Sequence, residues 1–125
     1  MLNVTSTPNA PAAIGPYSQA IEFQNIVFTS GQVPLDPATG AVVGTDITEQ
    51  AEQVMKNLGA ILEASGTDYT KAIKTTCFLA NMADFGAFNE VYGKYFTTKP
   101  ARSCVAVKQL PKDVLCEVEV IAAKK

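Results

Sequence analysis

The sequence predicts an α+β domain with two helices on one face of a largely antiparallel sheet. Three observations carry this. Two segments, 47–62 and 82–96, space their apolar residues three and four apart, as one helix face requires. Other short runs are rich in β-branched and apolar residues or alternate them with polar ones, the two-residue period of strands. The resulting order is strand, strand, helix, strand, helix, strand, strand, which segregates the helices into a layer of their own. With 125 residues the chain amounts to about one domain, residues 1–125.

The elements follow in order. Residues 1–16 contain Pro8, Pro11 and Pro16 and read as an extended, irregular arm. Ser18 to Phe23 and Ile26 to Ser30 are strand-like runs around Gln24-Asn25, a tight hairpin. Residues 33–44, with Pro34, Pro37, Gly40 and Gly44, form a loop with room for a short strand at 41–43. Ile47, Ala51, Val54, Met55, Leu58, Ile61 and Leu62 line the first helix. Asp46 and Glu49 make a capping-box-like start and Gly66 a stop. Ala72 to Leu79 reads as a buried strand. In the second helix Phe85, Phe88, Tyr92, Tyr95 and Phe96 share a face, with Asn81 as candidate cap. The last two strands, Ala101 to Lys108 and Val114 to Ala122, are joined by Q-L-P-K-D and expected to pair as a hairpin. Two helices cover one sheet face. The other, if apolar, needs cover that this chain has no element left to supply, and a partner subunit is the simplest source.

Composition removes several function classes. A net charge of −2 and a pI near 5.0 do not supply the positive footprint of nucleic-acid binding. No apolar run is long enough to span a membrane, and the N-terminus lacks the basic start and apolar block of a secretion signal. Cys77, Cys104 and Cys116 lie far apart with no metal-like spacing, which favours free thiols in a reducing compartment and a cytoplasmic protein. The chain has no histidine. This excludes Ser-His-Asp and Cys-His machinery and imidazole general bases. No metal site and no cofactor is expected.

The stretch K-P-A-R-S-C-V-A-V, Lys99 to Val107, sets an arginine inside a strand. Side chains alternate along strands, so Arg102 and Cys104 share one face and Glu117 and Glu119 share one face of the next strand. If the two strands pair as a hairpin with their apolar sets toward the helices, all four meet on the second face. Arg102 then stands opposite Glu117 or Glu119, depending on register. For an arbitrary sheet the commoner meaning is a solvated cross-strand salt bridge. The functional meaning is an anion site, because a guanidinium fork holds a carboxylate by two hydrogen bonds and a nearby glutamate can activate a water.

Four further motifs sharpen the choice. A-P-A-A-I-G-P-Y-S-Q-A (Ala10 to Ala20), T-S-G-Q-V-P (Thr29 to Pro34), P-A-R-S-C-V (Pro100 to Val105) and L-P-K-D-V (Leu110 to Val114) resemble the signatures of the RidA (YjgF) family of reactive intermediate deaminases, in order and almost end to end. The resemblance implies a chorismate-mutase-like α+β fold assembled as a homotrimer, with sites in the clefts between subunits. It implies a hydrolase acting on 2-aminoacrylate, 2-iminopropionate or 2-iminobutyrate and yielding a 2-oxo acid and ammonia. By the same resemblance Arg102 binds the substrate carboxylate and Glu117 positions water. Tyr17 lines the pocket, and Ser30 and Gly31 provide backbone near the substrate nitrogen. Asn89 lies on a helix that reaches the cleft from a neighbouring subunit, and Cys104 acts through its backbone N–H. One departure stands out: the connection Phe96 to Pro100 is a few residues shorter than in many relatives, which bears on the cleft rim. Three other readings compete: a non-catalytic 2-oxo-acid-binding trimer, a ribonuclease or translation inhibitor, and a chaperone-like holdase. The acidic pI and missing histidine weigh against the ribonuclease.

Overall fold

Gln24 and Asn25 both adopt positive φ, 49° and 65°, the type I′ geometry whose twist matches the strands it joins. In the computed structural model, which describes residues 1–125, this turn links β2 (Ala20–Phe23) to β3 (Ile26–Thr29). A strand not expected from the sequence, β1 (Asn3–Thr5), lies within the proline-rich arm and pairs antiparallel with β2. Three residues are too few to show a period. The short strand expected at 41–43 is a single bridge, Leu35 to Val42.

The first helix, α1 (Ile47–Ala64), begins as expected, with the Asp46 side chain accepting from the Glu49 N–H at 2.8 Å. The Glu49 carboxylate reaches one residue further than a capping box would and accepts from the Thr45 N–H at 3.0 Å. Gly66 ends the helix at φ +79°, the left-handed position that favours glycine. Strand β4 (Ala72–Leu79) follows. Asn81 caps a single 3-10 turn, Met82–Asp84, through the Ala83 N–H, and α2 (Phe85–Tyr95) starts only after it. The chain closes with β5 (Ala101–Ala106), a 3-10 turn at Pro111–Asp113 and β6 (Cys116–Ala123).

The sheet order is β1-β2-β3-β6-β4-β5, antiparallel except for β4 beside β5. The expected hairpin of the last two strands does not form. Instead β4, α2 and β5 make a parallel crossover unit, and β6 inserts between β3 and β4. Burial explains the exchange. Every second residue of β6, Cys116, Val118, Val120 and Ala122, is fully buried, so β6 gains most from the centre of the sheet. The helix-side positions of β5 are Arg102, Cys104 and Ala106, the first two half-buried and the last exposed, which suits an edge.

Both helices cover the same face. The core joins Val54, Met55, Leu58 and Leu62 of α1 to Phe88, Val91 and Tyr92 of α2 over the buried residues of β4 and β6. The opposite face has no helix. Pairing lays Ile21, Phe28, Ile121 and Lys74 across it in one row, Glu119, Thr76 and Ser103 in another, and Glu117, Phe78 and Val105 in a third. Phe28 and Val105 are each over two-fifths exposed.

Candidate functional site

The structure divides the expected site residues into two groups that a single chain cannot join. Cross-strand neighbours share a face. Arg102 pairs with Thr75 and Cys104 with Cys77, and both partners are buried beneath the helices. Arg102 and Cys104 therefore stand on the helix face, contrary to the hairpin expectation. Glu117 and Glu119 stand on the open face, beside Phe78 and Thr76. Arg102 lies two strands and three residue rows from Glu117, about 14 Å between Cα atoms at ordinary strand spacings, with the side chains leaving opposite faces.

The arginine group is built by α2 and β5. The Arg102 Nη1 donates to Asn89 Oδ1 at 2.6 Å. Its Cζ lies 4.7 Å from the ring centroid of Tyr92 and 5.4 Å from that of Phe85. No carboxylate lies within ion-pair distance: the three ion pairs are Lys94–Glu52, Lys124–Glu22 and Lys125–Asp68. Arg102 is also the single arginine of the chain. A half-buried guanidinium with one neutral partner keeps most of its donors free for an anion. It opens into a cleft of about 340 Å3 bounded by Asn89, Tyr92, Thr97, Lys99 and Pro100, so the connection from Phe96 to Pro100 forms part of its rim. Asn89 reaches Arg102 within its own chain, which places it in the arginine group.

Strand β5 is an edge. The Val107 N–H donates to the Leu79 carbonyl at 2.9 Å, and strand alternation turns the N–H of Cys104 away from β4, to the free edge. Burial raises the Cys104 thiol pKa while the Arg102 charge beside it acts in the opposite sense. A thiol shifted this way is a poor nucleophile at neutral pH, and the available group is the backbone N–H. Burial pushes Cys77 and Cys116 up to about 12, as befits packing residues.

The glutamate group gathers where β3 loses register against β6. Phe28 pairs with Ile121, but the next bridge is Gln32 with Val118, so one extra residue bulges from this side of the pair at Thr29 to Gly31. The Thr29 Oγ1 fills the gap by accepting from the Val120 N–H at 3.0 Å. Ser30 is fastened to the arm, its N–H to the Gln19 carbonyl at 2.9 Å and its Oγ to the Ser18 carbonyl at 2.6 Å. Gly31 lies against Glu117: a Cβ there would come within 2.8 Å of the carboxyl carbon and closer still to Oε2. The missing side chain, not a special φ, is what lets the Glu117 carboxylate sit against this backbone. Tyr17, half exposed, joins Ile14, Ser30, Gly31, Pro111, Lys112 and Glu117 around a second cleft of about 330 Å3. Burial and, less strongly, the neighbouring Glu119 raise the Glu117 pKa above its ordinary value.

Sequence patterning missed the polar residues that hold these groups in place. Buried Gln19 accepts from the Thr7 N–H at 2.7 Å and donates to the Pro11 carbonyl at 2.8 Å, clamping the arm that carries Tyr17. Buried Asn57 donates to the carbonyls of Val33 and Leu35, each at 3.0 Å, and fixes the loop behind the glutamate cleft. Tyr92 shares a hydrogen bond of 2.7 Å with Thr75, and burial raises its pKa. For Asn57 the available signal was a polar residue at a core position of an apolar helix pattern; Tyr92 was placed on its helix face but not tied to Arg102, and Gln19 carried no such signal.

Residues 7–124 match the family model described as endoribonuclease L-PSP. The chain is 52% identical over 126 residues to a RutC family protein of Pyrococcus horikoshii, covering 100% of both. It is 47% identical over 129 residues to the 2-iminobutanoate/2-iminopropanoate deaminase of Salmonella typhimurium, again covering 100% of both. Among solved structures, a putative endoribonuclease from Thermotoga maritima superposes with a TM-score of 0.95 at 49% identity, covering 98% of each chain. TdcF of E. coli with bound serine superposes with a TM-score of 0.93 at 42% identity, covering 98% of this chain and 99% of that one.

Proposed function

The chain belongs to the endoribonuclease L-PSP family, also called the YjgF/RidA family, and from that premise we propose that it hydrolyses reactive 2-imino and 2-enamino acids to 2-oxo acids and ammonia. The observation that carries this reading is Arg102, a half-buried guanidinium with no acidic partner in its chain. It is matched to a small carboxylate, which it takes in a bidentate grip while the Cys104 N–H at the edge donates a further bond.

The reaction needs little else. In 2-iminopropionate or 2-iminobutyrate, the C2 carbon is electrophilic once the nitrogen is protonated, and 2-aminoacrylate reaches the same imine by taking a proton at C3. Water attacks C2, its oxygen bonds there, and the Glu117 carboxylate accepts the proton released. The tetrahedral adduct then collapses: Glu117 returns its proton to nitrogen, the C–N bond breaks as the hydroxyl oxygen forms the C=O bond and gives its own proton back to the Glu117 carboxylate, and ammonia leaves a 2-oxo acid. A carboxylate with a raised pKa suits this acceptor-then-donor role near neutral pH. Holding carboxylate, carbon and water together supplies much of the rate. Tyr17, Ser30 and Gly31 wall the water side.

Because Arg102 and Glu117 leave opposite faces, a working site takes the arginine group from one subunit and the glutamate group from another. The apolar open face around Phe28, Ile121 and Val105 is the surface such copies bury, and a cyclic homotrimer closes it. Deaminases and endoribonucleases are both named among the similar proteins, but the net charge of −2, the single arginine and the absent histidine do not suit RNA cleavage.

The test is subunit complementation. Arg102→Ala and Glu117→Gln homo-oligomers are each expected to be nearly inactive toward 2-aminoacrylate generated in situ. After the two are unfolded together and refolded as a mixture, each interface has an even chance of an intact arginine side and an even chance of an intact glutamate side. Activity should return to about a quarter of wild type. No recovery would rule out the shared site, and wild type no faster than spontaneous hydrolysis would rule out the enzyme.

A further inference from the structure

Tyr92 belongs to neither group of expected site residues, yet it touches the arginine more closely than any other ring. The guanidinium carbon of Arg102 lies 4.7 Å from its centroid. The ring is only 8% exposed and is locked from three sides. It stacks on Phe96 at 4.5 Å and 26°, and it packs against Phe88 one turn back at 5.9 Å. Its hydroxyl shares a hydrogen bond of 2.7 Å with Thr75, which is fully buried. Thr75 is also the residue paired with Arg102 across β4 and β5. One buried side chain thus ties the strand that carries the arginine, the strand beside it and the helix above.

We infer that Tyr92 is a positioning residue for Arg102: its ring is the platform that orients the guanidinium, with Asn89 holding one edge so that the other is presented to the ligand. A cation over an aromatic face is attracted to it, most strongly where water is excluded. A five-donor fork is useful only when its plane is set, since a bidentate grip depends on angle as well as charge. Asn89 alone constrains one nitrogen and leaves rotation about that bond. The ring removes it. This inference rests on the reading of Arg102 as a carboxylate clamp, and it adds the group that fixes the clamp's geometry.

Because Arg102 is the only arginine of the chain, selective 15N labelling of arginine in this 125-residue chain reports this one guanidinium. We expect its Nε–H resonance to be shifted by the ring current and its terminal N–H groups to rotate slowly. Tyr92→Leu should erase both features and weaken 2-oxobutanoate binding by calorimetry about ten-fold. Tyr92→Phe, which keeps the ring, should retain both features and bind within about two-fold of wild type. Thr75→Val removes the same hydrogen bond as Tyr92→Phe and should likewise stay within about two-fold; Tyr92→Met, which fills the space without an aromatic face, decides the matter if Tyr92→Leu does not fold. In the imine assay the loss should appear in KM with kcat nearly unchanged, because the carboxylate is gripped alike in ground and transition states. The inference is overturned if Tyr92→Leu leaves the guanidinium signal and affinity as they were, or if Tyr92→Phe loses as much as Tyr92→Leu. If wild type neither hydrolyses imino acids nor binds 2-oxobutanoate, the proposed function fails, and the labelled spectrum alone decides the positioning role.

Discussion

The two halves of the candidate site are held by different physics. The arginine half is wired into the core: one hydrogen bond to α2, two aromatic faces and a buried threonine behind them set Arg102 before any ligand arrives. The glutamate half is held by crowding. A register bulge brings Gly31 against the Glu117 carboxylate, and no hydrogen bond of the chain reaches that group. One half is preorganised through side chains, the other through the absence of one. Their fragilities therefore differ. The arginine half fails when a charge or a ring is removed, the glutamate half when a methyl group is added.

Removing the charge should do the most damage. Arg102→Ala is expected to lower kcat/KM for 2-iminopropionate about 10^3-fold, with circular dichroism unchanged. Arg102→Lys should recover little of it, since an ammonium does not reproduce a fork. Near-normal turnover in either variant would mean that the arginine half binds no substrate.

Glu117→Gln should cost about 10^2- to 10^3-fold in kcat while 2-oxobutanoate still binds. The same change bears on stability. The Glu117 pKa is raised above its ordinary 4.5 by burial and then by Glu119. The folded state therefore holds this proton more tightly than the unfolded state does. Its stabilising contribution is complete below that ordinary value and is lost as pH rises through the folded one. At pH 7 the ionised carboxylate destabilises the fold, so Glu117→Gln should raise Tm there and have no such effect in acid. Thermal melts at two pH values check this.

Gly31→Ala tests the crowding directly. The added methyl must displace the Glu117 carboxylate, the far end of a flexible side chain, so Tm should barely move while kcat falls about ten-fold or more. Unchanged kcat would show that the carboxylate's position does not matter. The smallest effect is expected from Glu119→Gln. Removing that negative charge should shift the acid limb of the kcat/KM profile to lower pH, the Glu117 pKa falling toward normal. A shift the other way would contradict the assignment of Glu117 as proton acceptor.

Most elements were legible because their signals are local. The first helix, its Asp46 cap and its Gly66 stop, and the Gln24-Asn25 turn depend on residues within one or two turns of chain. The candidate site residues were picked out through motifs such as P-A-R-S-C-V. Their arrangement was not. Placing Arg102 and Glu117 on one face assumed that strands adjacent in sequence pair in space. Which strand takes the centre of the sheet depends instead on a comparison among all of them, and β6, with four fully buried side chains, displaced β5 to the edge.

The sequence by itself determined the fold class, the helix faces, the −2 charge and the absence of imidazole chemistry, because composition and short-range periodicity are properties of the chain alone. Only the tertiary structure decided that Arg102 meets Asn89 and Tyr92 and not Glu117, that Gly31 lies against a side chain 86 positions away, and that Arg102 and Glu117 leave opposite faces of one sheet. Those facts depend on register and strand order, which long-range burial sets and no local pattern encodes.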